Sequence, residues 1–150
     1  MEHVYVCDST SRSYITSFTS GHNYEILDLA ISPDATTLIS VGTDSQAVVW
    51  DVSGTKVRCR LQGHTGRINS VAMLSPVVCV TGSVDCTARV WDLRAKSGRG
   101  NCVQTMGDAA DSVSAVAAGE KSILCGSMDG CVYTYDVRAG VRRADHVGAP

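Results

Sequence analysis

Basic residues are not in excess: 13 Lys and Arg face 15 Asp and Glu, for a net charge of −2 over 150 residues. A broad positive face for nucleic acid or anionic lipid is therefore not expected. No run of about 18 apolar residues occurs, so no transmembrane helix is expected. The N-terminal stretch "MEHVYVCDSTSRS" has neither a basic n-region nor a long apolar h-region, and does not read as a secretion signal. The seven cysteines (7, 59, 79, 86, 102, 125 and 131) contain no C-x-x-C pair and no paired spacing for zinc. Most sit in apolar runs such as "PVVCV" and "SILCG", and are read as reduced cysteines used as small hydrophobes. That usage predicts the cytoplasm, with the nucleus as a second compartment. No window of a dozen residues carries a 3.6-residue period, so helix pairs are not expected. A G-x-S-x-G stretch is also missing, which argues against one large hydrolase class.

What is present is a soluble, globular composition, 44% apolar and 19% charged, long enough for one domain with a core. It is organised as a repeat. The first full unit reads "GHNYEILDLAISPDATTLISVGTDSQAVVWD" from Gly21, and the second "GHTGRINSVAMLSPVVCVTGSVDCTARVWD" from Gly63. A third, "GDAADSVSAVAAGEKSILCGSMDGCVYTYD", starts at Gly107, so successive starts lie 42 and 44 residues apart. The period suits one four-stranded propeller blade. Short runs rich in Ile, Leu and Val ("ILDLAI", "INSVAM", "TTLISV") and turns carrying Asp44, Asp85 and Asp129 predict strands. The turns "GTDSQ", "SVDCT" and "SMDGC" read as tight hairpins in which Asp and Gly tolerate unusual backbone angles. Each unit then has strand a after Gly-His, b before the turn Asp, c ending in Trp-Asp, and d ("TKVRCRL", "NCVQTM", "GVRRAD").

These units resemble WD repeats, over nearly the whole chain. The fold class expected is all-β: a partial propeller of about three and a half four-stranded antiparallel blades. Its divisions fall at 1–20 (a half blade), 21–62, 63–106 and 107–145. "VYVCD" aligns with the ends of strands c, with Cys7 in the Trp position and "SYITSF" as a strand d, so the chain opens halfway through a blade. Closed propellers need about four to eight blades. Two copies would both supply the same half blade, so a fragment of a longer propeller is expected.

The resemblance implies a hydrogen-bonded set of four residues in each blade. In the first unit these are His22, Ser40, Asp44 and Trp50, and in the second His64, Thr81, Asp85 and Trp91. The Asp caps backbone donors in its turn and accepts from His; the hydroxyl between His and Trp accepts from the indole N–H, which needs a partner when buried. A His-Ser-Asp trio also suggests a hydrolase triad, but a catalytic set occurs once, in one cleft, and not at equivalent places in two repeats. The third unit departs: Asp108 stands for His, Cys125 for Ser and Tyr135 for Trp, with Asp129 retained. That blade is expected to rely on packing alone.

"SGHNYEILDLAIS", "VQTMGDAADSVSAV", "ILCGSMDGCVYTYDVRAG" and "DHVGAP" are similar to a branch of the family that organises mitogen-activated protein kinase cascades. This resemblance implies a non-enzymatic scaffold with kinase-cascade or splicing proteins as partners. No cofactor, metal, membrane, small-molecule substrate or direct nucleic-acid contact is implied. Partner contact is expected at the rim carrying the Gly-His loops, from Asn23, Tyr24, Glu25 and Arg67 before strand a and from Thr43, Val84 and Met128 before the turn Asp. An alternative is a substrate receptor of a cullin-RING ubiquitin ligase, whose W/Y-D-x-R boxes match "WDLR" and "YDVR" and would present Arg94 and Arg138 to an adaptor. A G-protein β-like subunit is a third reading, and the chain has no coiled-coil helix to hold a γ partner.

Overall fold

The computed structural model describes residues 3–7, 9–12, 14–19, 21–94, 101–137 and 142–146, with residues 14, 15 and 142–146 described in backbone alone. The fold is all-β, and among the described residues there is no α-helix. None is long and apolar enough to cross a membrane. Among the described residues fourteen strands make four antiparallel sheets. The first holds β1 (Val4–Cys7) and β2 (Tyr14–Phe18). The second holds β3 (Ile26–Ile31), β4 (Thr37–Gly42), β5 (Gln46–Asp51) and β6 (Lys56–Gln62). The third holds β7 (Ile68–Ser75), β8 (Val78–Ser83), β9 (Ala88–Asp92) and β10 (Cys102–Met106). The fourth holds β11 (Val113–Ala118), β12 (Ser122–Ser127), β13 (Cys131–Asp136) and β14 (Arg142–His146). Within each sheet neighbours in sequence are neighbours in space, and the four sheets do not close a ring.

Burial follows from how sheets stack. β4 is buried at all six positions and β5 at its middle four, because both faces are covered. Such strands read as continuous apolar runs instead of alternating ones. Three apolar seams result. Val4 and Phe18 meet Leu38, Val48 and Trp50, the Phe18 and Trp50 rings lying edge to face with centroids 5.3 Å apart. Ile39, Val41, Val49 and Leu61 meet Ile68, Val71, Cys79 and Trp91. Val80, Val90 and Met106 meet Val113, Ile123, Cys125 and Tyr135. Cys59, Cys79, Cys125 and Cys131 are buried. Burial raises the Cys125 thiol to about 12, so it packs as a protonated, apolar group.

One irregularity recurs at equivalent places. In the first strand of each four-stranded sheet the ladder slips near its start, between Ile26 and Asp28, Ile68 and Ser70, and Val113 and Ala115, and β7 slips again between Met73 and Ser75. A bulge of this kind leaves one residue outside the pairing and redirects its side chain. The residues so displaced are Leu27, Asn69 and Ser114, and all three border one mouth between the inner strands.

The residue after the bulge joins one sheet to the next. Asp28 Oδ2 accepts from Ser70 Oγ at 3.0 Å and from the Val71 N–H at 2.9 Å. Ser70 Oγ in turn accepts from the Val116 N–H at 3.2 Å. Asn69 Nδ2 adds a bond to the Val113 carbonyl at 2.9 Å. The equivalent residue of the fourth sheet is Ala115, whose methyl group cannot continue the chain of acceptors.

The third sheet is covered on both faces, whereas β1 and β2 form a lone pair of strands, which is marginal in water. Amide protons of β7 to β9 are expected to exchange slowest and those of β1 and β2 fastest in a hydrogen-exchange series. Equal protection of the two regions would contradict this ranking.

Candidate functional site

The turn between the second and third strands of each full sheet organises everything near it. The residue after the turn Asp takes a left-handed backbone: Ser45 at φ 62, Cys86 at φ 66 and Gly130 at φ 85. The sequence places unusual angles on Asp and Gly, but the structure puts them one residue past each Asp, on Ser and Cys in two of three turns. The Asp side chain supports that conformation by accepting from the backbone two residues on. Asp44 accepts from Gln46 N–H at 3.2 Å, Asp85 from Thr87 N–H at 3.0 Å and Asp129 from Cys131 N–H at 2.9 Å.

From the other carboxylate oxygen a buried chain runs inward. In the second sheet Asp44 Oδ2 lies 2.8 Å from His22 Nδ1, His22 Nε2 lies 2.7 Å from Ser40 Oγ, and Trp50 Nε1 donates to Ser40 Oγ at 2.8 Å. In the third sheet the same three distances, Asp85 to His64, His64 to Thr81 and Trp91 to Thr81, are each 2.8 Å. One direction of donation satisfies all partners. Indole N–H donates to the hydroxyl, hydroxyl to Nε2, and Nδ1–H to the carboxylate. The imidazole must then be neutral. Burial holds His64 below the ordinary histidine value, outweighing the hydrogen bond and charge of Asp85 that act the other way. Burial would raise Asp85, but hydrogen bonds from Thr87, His64 and the Thr65 backbone keep its carboxyl below the usual range.

This geometry also decides the hydrolase question for these trios. Ser40 and Thr81 are fully buried, and each hydroxyl already has a donor and an acceptor. Neither can reach a substrate as a nucleophile. Among the described residues no three His, Cys, Asp or Glu side chains converge to hold a metal.

The glycine of the first Gly-His pair is needed for packing, and that of the second sits in tight space. A Cβ on Gly21 would overlap the Trp50 indole, and one on Gly63 would lie 2.7 Å from an Arg89 guanidinium nitrogen. Arg60 donates to the Gly21 carbonyl from the fourth strand of its sheet. In the next sheet Arg89 stands beside Gly63 from the third strand.

The fourth sheet corrects the expectation that it relies on packing. Tyr135 Oη donates to Asp108 Oδ2 at 3.0 Å, so the longer phenol reaches past Cys125 and bonds directly to the residue standing for His. Asp129 Oδ2 accepts from the Ala110 N–H at 2.8 Å and from Tyr133 Oη at 2.9 Å. Burial opposes charge on Asp129, yet these donors hold its carboxyl far below the usual range. Tyr133 was invisible to sequence reading because its position holds Val48 and Arg89 in the other units, which lack a hydroxyl.

The rim residues are tied together by the backbone. Thr43 N–H donates to the Glu25 carbonyl at 3.0 Å, Val84 N–H to Arg67 at 3.1 Å and Met128 N–H to Ser112 at 2.9 Å. Each residue before a turn Asp is thereby fixed to the residue before a first strand. Asn23, Tyr24, Glu25, Arg67 and Met128 are exposed, while Thr43 and Val84 are half-buried. Arg67 and Met128 share the mouth of about 560 Å³ with the displaced Leu27, Asn69 and Ser114 and with Asp111 and Ser112. The last five escaped sequence reading: a bulge such as those at Leu27, Asn69 and Ser114 cannot be located from composition, and Asp111 and Ser112 lie in a loop that lacks the Gly-His pair. Arg94 is exposed, with its guanidinium on Asp92 at 2.7 Å and 3.0 Å. Arg138 lies outside the described residues.

Comparison with known proteins agrees with this architecture. The profile of the family described as "WD domain, G-beta repeat" matches residues 12–51 and 55–92, together more than half of the chain. The chain belongs to the WD-repeat family. It is 32% identical to the WD repeat domain-containing protein 83 homolog of Dictyostelium discoideum, over 85% of this chain and 47% of that protein. It is 31% identical to pre-mRNA-processing factor 19 of Oryza sativa subsp. japonica, over 77% of this chain and 22% of that protein. The chain thus spans less than half the length of these relatives. The solved structure titled "Structure of U3-55K" superposes with a TM-score of 0.86 at 18% identity, covering 96% of this chain and 45% of that one, and shows the shared fold. Proteins of this family are generally non-catalytic scaffolds.

Two measurements check the buried chains. Trp91→Ala is expected to cost ~3–5 kcal/mol in a urea series through cavity and lost packing. Tyr135→Phe, which removes one hydroxyl, should cost about 0.5–1.5 kcal/mol. The reverse order would show that the fourth sheet depends on its network more than the third.

His64 offers a pH test. Its folded value lies below the unfolded one, so the unfolded chain takes up the proton first. Stability from this group is full above the ordinary histidine value of about 6.5 and is lost as pH falls through it. The His64 ring should titrate below that value by NMR, and His64→Gln should flatten the loss of stability between about pH 7 and 5. A ring midpoint above the ordinary value would contradict a neutral imidazole.

Proposed function

We propose that the chain is a non-enzymatic interaction scaffold that holds partner proteins at the rim carrying the Gly-His loops. The carrying observation is the row of backbone-tied pairs, Glu25 with Thr43, Arg67 with Val84 and Ser112 with Met128. It sets dissimilar exposed side chains on a rigid frame, as a recognition surface requires. Tyr24 and Arg67 are the anchors, being residue types enriched where binding energy concentrates. The partners are proteins of a mitogen-activated protein kinase cascade or of pre-mRNA splicing, met in the cytoplasm or nucleus. The first assignment is supported by the resemblance of the four stretches quoted above. Support for the second comes from similarity to a pre-mRNA-processing factor. The net charge of −2 favours protein over nucleic-acid partners. The ubiquitin-ligase alternative has less support, because the Arg94 guanidinium is already engaged by Asp92.

Proximity labelling in cells is expected to recover kinase-cascade or splicing proteins with the wild-type chain. Tyr24→Ala with Arg67→Glu should lose them, and should weaken a purified partner by about 2 kcal/mol or more while leaving the circular dichroism unchanged. Recovery unaffected by the double substitution would place the contact elsewhere.

A further inference from the structure

The seams between sheets are built from equivalent positions, so a difference between two of them is informative. At the seam between the second and third sheets, Trp91, Leu93 and Cys59 are 0%, 1% and 6% exposed. At the next seam the same positions carry Tyr135, Val137 and Gln104. The register fixes this equivalence: Cys59 pairs with Val49 and Gln104 with Val90. Leu93 N–H bonds to the Val77 carbonyl and Val137 N–H to the Lys121 carbonyl, closing the same corner of each sheet. Tyr135 is smaller than tryptophan and its hydroxyl is held by Asp108, Val137 is 50% exposed, and Gln104 is exposed at the edge of the space it borders.

Space filled at one seam is therefore open at the other. It forms a cavity of about 290 Å³ whose apolar walls are Leu74, Val78, Val90, Met106, Ile123 and Tyr135. The cavity lies at the end of the sheets holding the turns between first and second strands, opposite the rim of Gly-His loops. Ser75 and Gln104 are the neutral polar residues of the lining, and the apolar walls between them offer water no partner, so an apolar occupant is favoured. The volume sits just below the lower bound of about 300 Å³ for small-molecule pockets, which fits a single side chain better than a cofactor. Glu120 is also among the lining residues and is exposed at the opening. The neighbouring Lys121 is exposed and does not line the cavity.

We propose that this cavity receives one bulky apolar side chain, tryptophan or leucine, from a partner polypeptide with basic residues on either side of it. The apolar walls take the side chain, and the Glu120 carboxylate at the opening faces its basic flanks. The site is independent of the Gly-His rim, so one chain of this kind holds two polypeptides at opposite ends of its sheets.

The test uses the full chain with labelled methyl groups, titrated with two acetylated and amidated pentapeptides, Lys-Lys-Trp-Lys-Lys and Glu-Glu-Trp-Glu-Glu. The lysine peptide should shift the methyls of Leu74, Val78, Val90 and Ile123, leave those of Ile39, Val41 and Leu61 in place, and bind at least about tenfold tighter than the glutamate peptide. Val137→Trp, made from a half-exposed position, should fill the opening and abolish binding. Gln104→Leu, a milder filling change on an outer strand, should weaken it. Glu120→Lys should weaken the lysine peptide at least about fivefold with the peptide-free spectrum unchanged. Tyr24→Ala with Arg67→Glu should leave the affinity as it is, which separates this site from the rim. Equal affinity for the two peptides, or shifts confined to other methyls, would overturn the proposal. So would saturation by free indole with no gain from flanking lysines, or shifts produced by concentrating the protein alone, which would make a second copy the occupant.

Discussion

A tryptophan buried between sheets brings with it a nitrogen that must donate. Trp50 and Trp91 supply the largest apolar volumes at two seams, and each carries one N–H into a region without water. Leaving such a donor unpaired costs about 1–3 kcal/mol, comparable to what a good contact contributes. The hydroxyl of Ser40 or Thr81 meets it, the imidazole meets the hydroxyl, and the carboxylate meets the imidazole at a turn on the surface. A core residue is in this way coupled to a loop conformation. The same carboxylate supports the left-handed residue that follows it, so the turn and the core are specified together.

The fourth sheet shows what such a set permits. Without the imidazole, the small hydroxyl and the indole, it still pairs a buried donor with a carboxylate, through Tyr135 and Asp108. What is preserved is the satisfaction of a polar atom, and the residue types are one solution among several. The substitution has a spatial consequence as well, since a phenol fills less of the seam than an indole does.

The repeat made the strands, their order and the paired Gly-His and Trp-Asp residues legible, because period and turn chemistry act locally. Positions such as Ser40 and Thr81 were identified through the resemblance to WD repeats. The network of Tyr133, Tyr135 and Asp108 was not legible, because it depends on how far a phenol reaches across a sheet and no neighbouring repeat shares it. Leu27, Asn69 and Ser114 were hidden for a different reason. Their direction is set by a slip in the ladder, and a slip leaves no mark in the order of polar and apolar residues. The cavity at the last seam was likewise hidden, being a comparison between two interfaces.

The inner strands are joined by a chain of acceptors, Asp28 to Ser70 and Val71, and Ser70 to Val116. The first link uses a carboxylate and the second a neutral hydroxyl. Hydrogen bonds to a charged group are roughly twice as strong as neutral ones. Considered as a mechanical object, the stack is therefore not uniform along its length. A load that pulls the sheets apart in series meets two bonds to one carboxylate between the second and third sheets, and two bonds to uncharged oxygens, Val116 to Ser70 and Asn69 to Val113, between the third and fourth.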